Sequence, residues 1–177
     1  MTYSLGVDLG TTFTAAAIDR GAGPKIVPLG DDQAAIPSVV FFRDDGTELI
    51  GDAAQRRGRT EPDRIAREFK RRFGDPTPML IASTPRSAEA LTAILLRRII
   101  DHIAAIEGEQ PVSVVLTHPA SWRGYKLSVM EEVITLARLP ACRLVPEPVA
   151  AAAHANTSER LPVGSRVLVY DLSLIHI

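Results

Sequence analysis

A chain of 177 residues, 46% hydrophobic and 23% charged, has the length and make-up of one globular unit with room for a real core. Its 20 basic and 21 acidic side chains leave a net charge of −1, so no global field draws it to a polyanion or an anionic membrane, and any phosphate site must be local. A single cysteine, Cys142, excludes an intramolecular disulfide framework and a cysteine-rich zinc cluster and points to a reducing, cytoplasmic setting. The first eight residues carry no basic stretch, and Gly6 and Asp8 break their apolar run, so neither a signal peptide nor an anchor is expected. No apolar stretch reaches the roughly 20 residues of a membrane span. Arginine outnumbers lysine 17 to 3, which makes each lysine conspicuous.

Tyr3 to Asp8 reads as a short strand closed by Gly10, Phe13 to Ile18 as a second and Lys25 to Pro28 as a third, an opening meander. A Gly/Asp-rich turn at Gly30 to Gln33 leads into a strand over Ser38 to Phe42, and the turn Arg43 to Thr47 returns it through Glu48 to Ile50. Ala53 to Phe73, crowded with arginine, reads as short helix, loop, short helix, ended by a Gly74 to Pro78 breaker. Ser87 to Ile106 has the clearest helical spacing, with Leu91, Ile94, Leu95, Ile99 and Ile103 on one face and Ser87 as N-cap. Val112 to Leu116 is a buried-type strand ending at Thr117, His118 and Pro119. A helix using Leu127, Met130, Val133, Ile134 and Ala137 follows, then a strand over Cys142 to Val145. Pro148 suits the first turn of an alanine-rich helix, and Arg166 to Asp171 reads as a last strand. The order is that of an α/β fold.

The strongest local chemical signal is Asp8-Leu9-Gly10-Thr11-Thr12-Phe13, a strand ending in a carboxylate followed by a tight turn into another strand. Gly10 permits close backbone approach, successive N–H groups can cradle an anion, and Thr11 and Thr12 add hydroxyl donors. Asp8 would repel phosphate, so its sensible role is to hold Mg²⁺ or a metal-bound water. The same residues also suit a plain hairpin with a polar turn. The phosphate loop ending in Gly-Lys-Ser/Thr and the Gly-x-Gly-x-x-Gly dinucleotide turn are both absent. His102, His118, His154 and His176 share no metal-ligand spacing, and no motif supports a Ser-His-Asp nucleophile. Trp122 and Tyr125 read as local packing in a chain that is 5% aromatic.

Asp8 to Thr12 resembles the first phosphate loop of the actin-like ATPase superfamily, and the remaining matches resemble the 70-kDa heat-shock, DnaK-like chaperones. These are Ile36 to Phe42, Leu49 to Ala54, Phe69-Lys70-Arg71-Arg72-Phe73, Val114 to Ala120 and Leu144 to Ala152. Asp171-Leu172 matches the start of that family's second phosphate loop, but Ser173 and Leu174 replace its glycines. The resemblance implies an actin-like, ribonuclease-H-like lobe: a mixed sheet flanked by helices over 1–171, with a small inserted subdomain at about 36–105. Residues 172–177 read as a non-native tail, because Leu-Ser-Leu-Ile-His-Ile is also what a transposon-end adapter encodes in one frame.

The implied activity is ATP binding and hydrolysis in a cleft between two lobes, serving a chaperone that assists protein folding. The cofactors would be ATP or ADP with Mg²⁺ and K⁺. Lys70 and Thr11 would contact the γ-phosphate, and Glu147 would orient water or the Mg²⁺ shell. Asp8 and Asp171 would bracket the metal through water, while Gly10, Thr11, Thr12, Phe13 and Lys70 line the nucleotide. Pro119 matches the family's interdomain relay proline. The implied partners are a second lobe, a C-terminal substrate-binding domain, a J-domain co-chaperone, a nucleotide exchange factor and unfolded peptides, with no nucleic acid and no membrane. With the second lobe absent, this stretch alone is expected to hydrolyse ATP negligibly. Ser121 to Tyr125 departs from the family pattern, Leu127 stands where a relay arginine is expected, and the Gly74 to Arg86 connection is short. An actin-like filament protein and a small-molecule kinase of the same superfamily are the alternatives.

Overall fold

The computed structural model describes residues 2–30, 33–160 and 162–169. Strands β1 (Ser4–Leu9), β2 (Phe13–Asp19) and β3 (Lys25–Val27) form the expected antiparallel meander. The stretch expected as one strand over Ser38 to Phe42 is divided. β4 (Ala35–Pro37) pairs with β2 beside Phe13 to Ala15, and β5 (Val40–Phe42) leaves for a second sheet. The break falls at Ser38, whose N–H and hydroxyl are both drawn to the β1–β2 turn.

β5, β6 (Glu48–Ile50) and β7 (Ile65–Ala66) make a three-stranded sheet around a small core of Val39, Phe41, Ala54 and Ile65, covered by α1 (Gly51–Arg57). A 3₁₀ turn at Phe69–Arg72 follows. The two-residue β7 and the hairpin of β8 (Met79–Ile81) and β9 (Thr84–Arg86) were not expected from the sequence. Such short strands, one of them holding Pro85, lack the alternation by which a strand is read.

α2 (Ala88–Glu107) starts where predicted, with the Ser87 hydroxyl accepting from the Ala90 N–H at 3.1 Å. β10 (Ser113–His118), α3 (Tyr125–Leu136), β11 (Ala141–Pro146) and α4 (Glu147–Glu159) complete the chain. The main sheet runs β11-β10-β1-β2-β3, with β4 beside β2; β1, β10 and β11 are parallel and the meander antiparallel, so the sheet is mixed. The predicted last strand does not form over its described part, 166–169. Val167 and Leu168 are exposed and pair with no strand, so β propensity there has no partner to satisfy it.

The period-2 pattern of β1 decides which face is packed. Tyr3, Leu5, Val7 and Leu9 are buried against Leu91, Leu95, Ile99 and Ile103 of α2 and Met130 and Val133 of α3. The opposite pleat carries Ser4, Gly6 and Asp8, half-buried to exposed, so the carboxylate of Asp8 emerges at the strand's end on the open face. Among the described residues, no helix is long and apolar enough to cross a membrane.

Two outcomes follow from this packing. Ser87→Ala should cost about 1 kcal/mol in urea unfolding through the lost cap. Burial pushes the Cys142 thiol up to about 11. Its alkylation at pH 8 should therefore be on the order of 10²-fold slower in the folded chain than in urea, with thiol labelling as the check.

Candidate functional site

The β1–β2 turn is built around Gly10. A Cβ there would lie 2.2 Å from the Phe13 carbonyl oxygen, so the turn closes only with glycine. Ser38 fixes it from below. Its hydroxyl donates to the Gly10 carbonyl at 2.8 Å, and its N–H donates to the Thr12 carbonyl at 2.8 Å. A hydroxyl has one proton, so the 2.8 Å contact between Thr14 Oγ1 and Ser38 Oγ must use the Thr14 proton. Thr14 and Ser38 are buried, which makes this chain of hydroxyls a rigid base. Thr11 is half-buried above it, and Thr12 and Phe13 are exposed at the tip.

Phe69 and Phe73, both buried, anchor the 3₁₀ turn, and between them Lys70 is only 6% exposed. Its Nζ donates to the Leu9 carbonyl and to Glu147 Oε1 at 3.4 Å. The end of β1, the Phe69–Arg72 turn and the first turn of α4 therefore meet at one ammonium. Glu68, at φ 53° in the left-handed region, makes the sharp entry that turns Lys70 inward. Burial holds the Lys70 amine below its usual range, opposed by Glu147 and Asp8, whose charges favour the ammonium.

Glu147 opens α4, where the helix dipole favours a carboxylate. Asp8 accepts from the Thr117 hydroxyl at 2.6 Å, which orients one carboxylate oxygen. Among the described residues no three His, Cys, Asp or Glu side chains converge on a metal position. A lone oriented carboxylate suits Mg²⁺, which takes one or two protein carboxylates and fills its shell with water and phosphate oxygens.

The surrounding arginines are largely tied up locally, in Arg57–Glu61, Arg64–Asp44, Arg71–Glu68 and Arg72–Asp75 ion pairs. They do not form an open basic track. Lys70 differs from them in being buried, with its Nζ on the Leu9 carbonyl beside the Gly10 turn.

Asp8, Gly10, Thr11, Lys70 and Glu147 thus lie around one end of the main sheet. Pro119 sits half-buried just past β10, its carbonyl accepting from the Trp122 N–H at 3.0 Å. Asp171 and residues 172–177 lie outside the described residues. Ser38 and Thr117 were not singled out by sequence reasoning. Ser38 stands in a segment quoted as a strand and as a family match with no role given to this residue, and a hydroxyl aimed at a turn 28 positions away leaves no spacing signal.

A mixed α/β fold with a glycine-dependent turn and a buried lysine beside it is an arrangement whose backbone N–H groups and ammonium can receive an anion. Residues 4–82 match the family model described as Hsp70 protein, and that stretch is similar to the chaperone ATPases of that family. The match includes Asp8, the Gly10 turn, Ser38 and Lys70 and ends before Thr117, Pro119 and Glu147.

Ser38→Ala should cost about 1–3 kcal/mol in urea unfolding, because the buried Thr14 hydroxyl and the Gly10 carbonyl both lose their partner.

Proposed function

We propose that this chain forms the first lobe of an actin-like, ribonuclease-H-like ATPase domain that hydrolyses ATP in a DnaK-like chaperone. The observation that carries the reading is the seat of Lys70, a buried ammonium held by the Leu9 carbonyl and Glu147 beside the Gly10 turn.

An ammonium has three N–H donors, and these two contacts leave one for a γ-phosphate oxygen. In a site shielded from water, that contact would stabilise the charge that develops as the terminal phosphoryl group transfers. Glu147, half-buried, can accept a proton contact from the attacking water while it balances Lys70. Thr11 offers its hydroxyl, and Gly10 and Thr12 their amides, to the phosphate chain. Asp8, oriented by Thr117, would hold Mg²⁺ through water, and the ion would supply neutralisation of the phosphates. Asp171 would complete the metal shell from the second loop, and K⁺ would share the site.

ATP and ADP binding would then drive a C-terminal substrate-binding domain through the Pro119 relay. Unfolded peptides would be the clients, with a J-domain co-chaperone and a nucleotide exchange factor as regulators in the cytoplasm.

Single-turnover hydrolysis of Mg·ATP by the full-length protein tests this reading. Lys70→Ala should lower the rate roughly 10²–10³-fold, the range for removing one preorganised charge-stabilising donor. Unchanged turnover would contradict it. Phosphoryl transfer to a small acceptor would instead support the kinase alternative, and ATP-dependent polymerisation the filament.

A further inference from the structure

Trp122, the chain's only tryptophan, is 7% exposed and stands against the same lysine. Lys70 Nζ lies 5.4 Å from the indole centroid and Lys126 Nζ 5.7 Å, so two of the three lysines in the chain sit on this ring. Phe73 abuts it at 5.2 Å, tilted 48°, and the buried His118 ring stacks at 6.5 Å and 20°. The Trp122 backbone N–H donates to the Pro119 carbonyl, which places this residue just past the end of β10.

A buried ammonium can be stabilised in two ways that differ in what they leave behind. A second carboxylate would take another N–H and cancel the charge. An aromatic face attracts the cation through its quadrupole without neutralising it and without needing a directed hydrogen bond. The charged and titratable groups around Lys70 are Glu147 from α4 and Asp8 from β1, with Lys126 and His118 against the same indole. Glu147 alone bonds it among the charged side chains described. The ring stabilises the ammonium without taking one of its N–H groups, which leaves a donor for a phosphate oxygen.

We propose that Trp122 is a positioning residue for Lys70: its indole face holds the buried ammonium in place, still cationic, for the phosphate chemistry. This rests on the ATPase reading of the site. The residue also links the Lys70 seat to the segment at Pro119, because its ring meets the ammonium and its backbone N–H meets the Pro119 carbonyl.

The test is a double-mutant cycle in the full-length protein, with kcat and KM for Mg·ATP as readouts. Trp122→Leu should lower kcat about tenfold with KM within about twofold, and Trp122→Phe, which keeps a ring face, should recover most of it. In the Lys70→Ala background, Trp122→Leu should add almost nothing. A second readout does not need Trp122→Leu: Lys70→Ala should alter the part of the emission that Trp122→Phe removes, since it takes a charge away from that ring. That measurement decides the contact even where Trp122→Leu does not fold. Equal losses in the Leu and Phe variants, a full loss persisting without Lys70, or emission indifferent to Lys70→Ala would each overturn the proposal. Turnover indifferent to Lys70→Ala would overturn the ATPase reading itself and, with it, the positioning role. A changed emission in that variant would show that the contact exists without the chemistry.

Discussion

The structure is organised around one unfavourable act, the burial of the Lys70 ammonium. Withdrawing a charge from water costs several kcal/mol before its partners repay any of it, and here the partners come from three distant segments. Leu9 supplies a carbonyl at the end of β1, Glu147 a carboxylate at the start of α4 and Trp122 a ring face beyond β10. Each is in place only when the parallel β1-β10-β11 core is assembled, so the cation's seat is a product of the whole sheet.

Two local devices prepare the space beside it. The Gly10 turn closes against the Phe13 carbonyl, and the Ser38 and Thr14 hydroxyls brace it from the buried side. The open pleat of β1 presents Asp8 at the same end, tethered by Thr117 on the neighbouring parallel strand. Anion-attracting groups and a metal-suited carboxylate thus share one rim. Below them, the apolar pleat and the faces of α2 and α3 form an ordinary close-packed core.

Much of this was legible in the sequence, for identifiable reasons. The α2 helix showed itself through its apolar stripe and Ser87 cap, and the meander through short alternating runs closed by glycine. The β8–β9 hairpin and β7 were not legible, because strands of two or three residues have too few positions to show a period. The run at 166–169 shows the opposite failure, a strong β pattern with nothing beside it to pair with. At the site, the Gly10 turn was visible as a local motif. The convergence of Leu9, Lys70 and Glu147 was not: it joins positions 61 and 77 residues apart, and only the family resemblance had placed Lys70 and Glu147 in one site. Trp122 was read as packing. It is packed, and what the sequence could not show is that its face also meets two ammonium groups.

If the Lys70 charge is kept for what it can bind, folding does not require it. The most direct test is urea unfolding of Lys70→Met, which keeps the side chain's length and removes its charge. Met spares the desolvation cost and loses the Leu9 contact, while Glu147 can turn to water. Stability within about 1 kcal/mol of the parent is the predicted result. A loss of more than about 3 kcal/mol would show the ammonium to be a structural tie, and would contradict the claim.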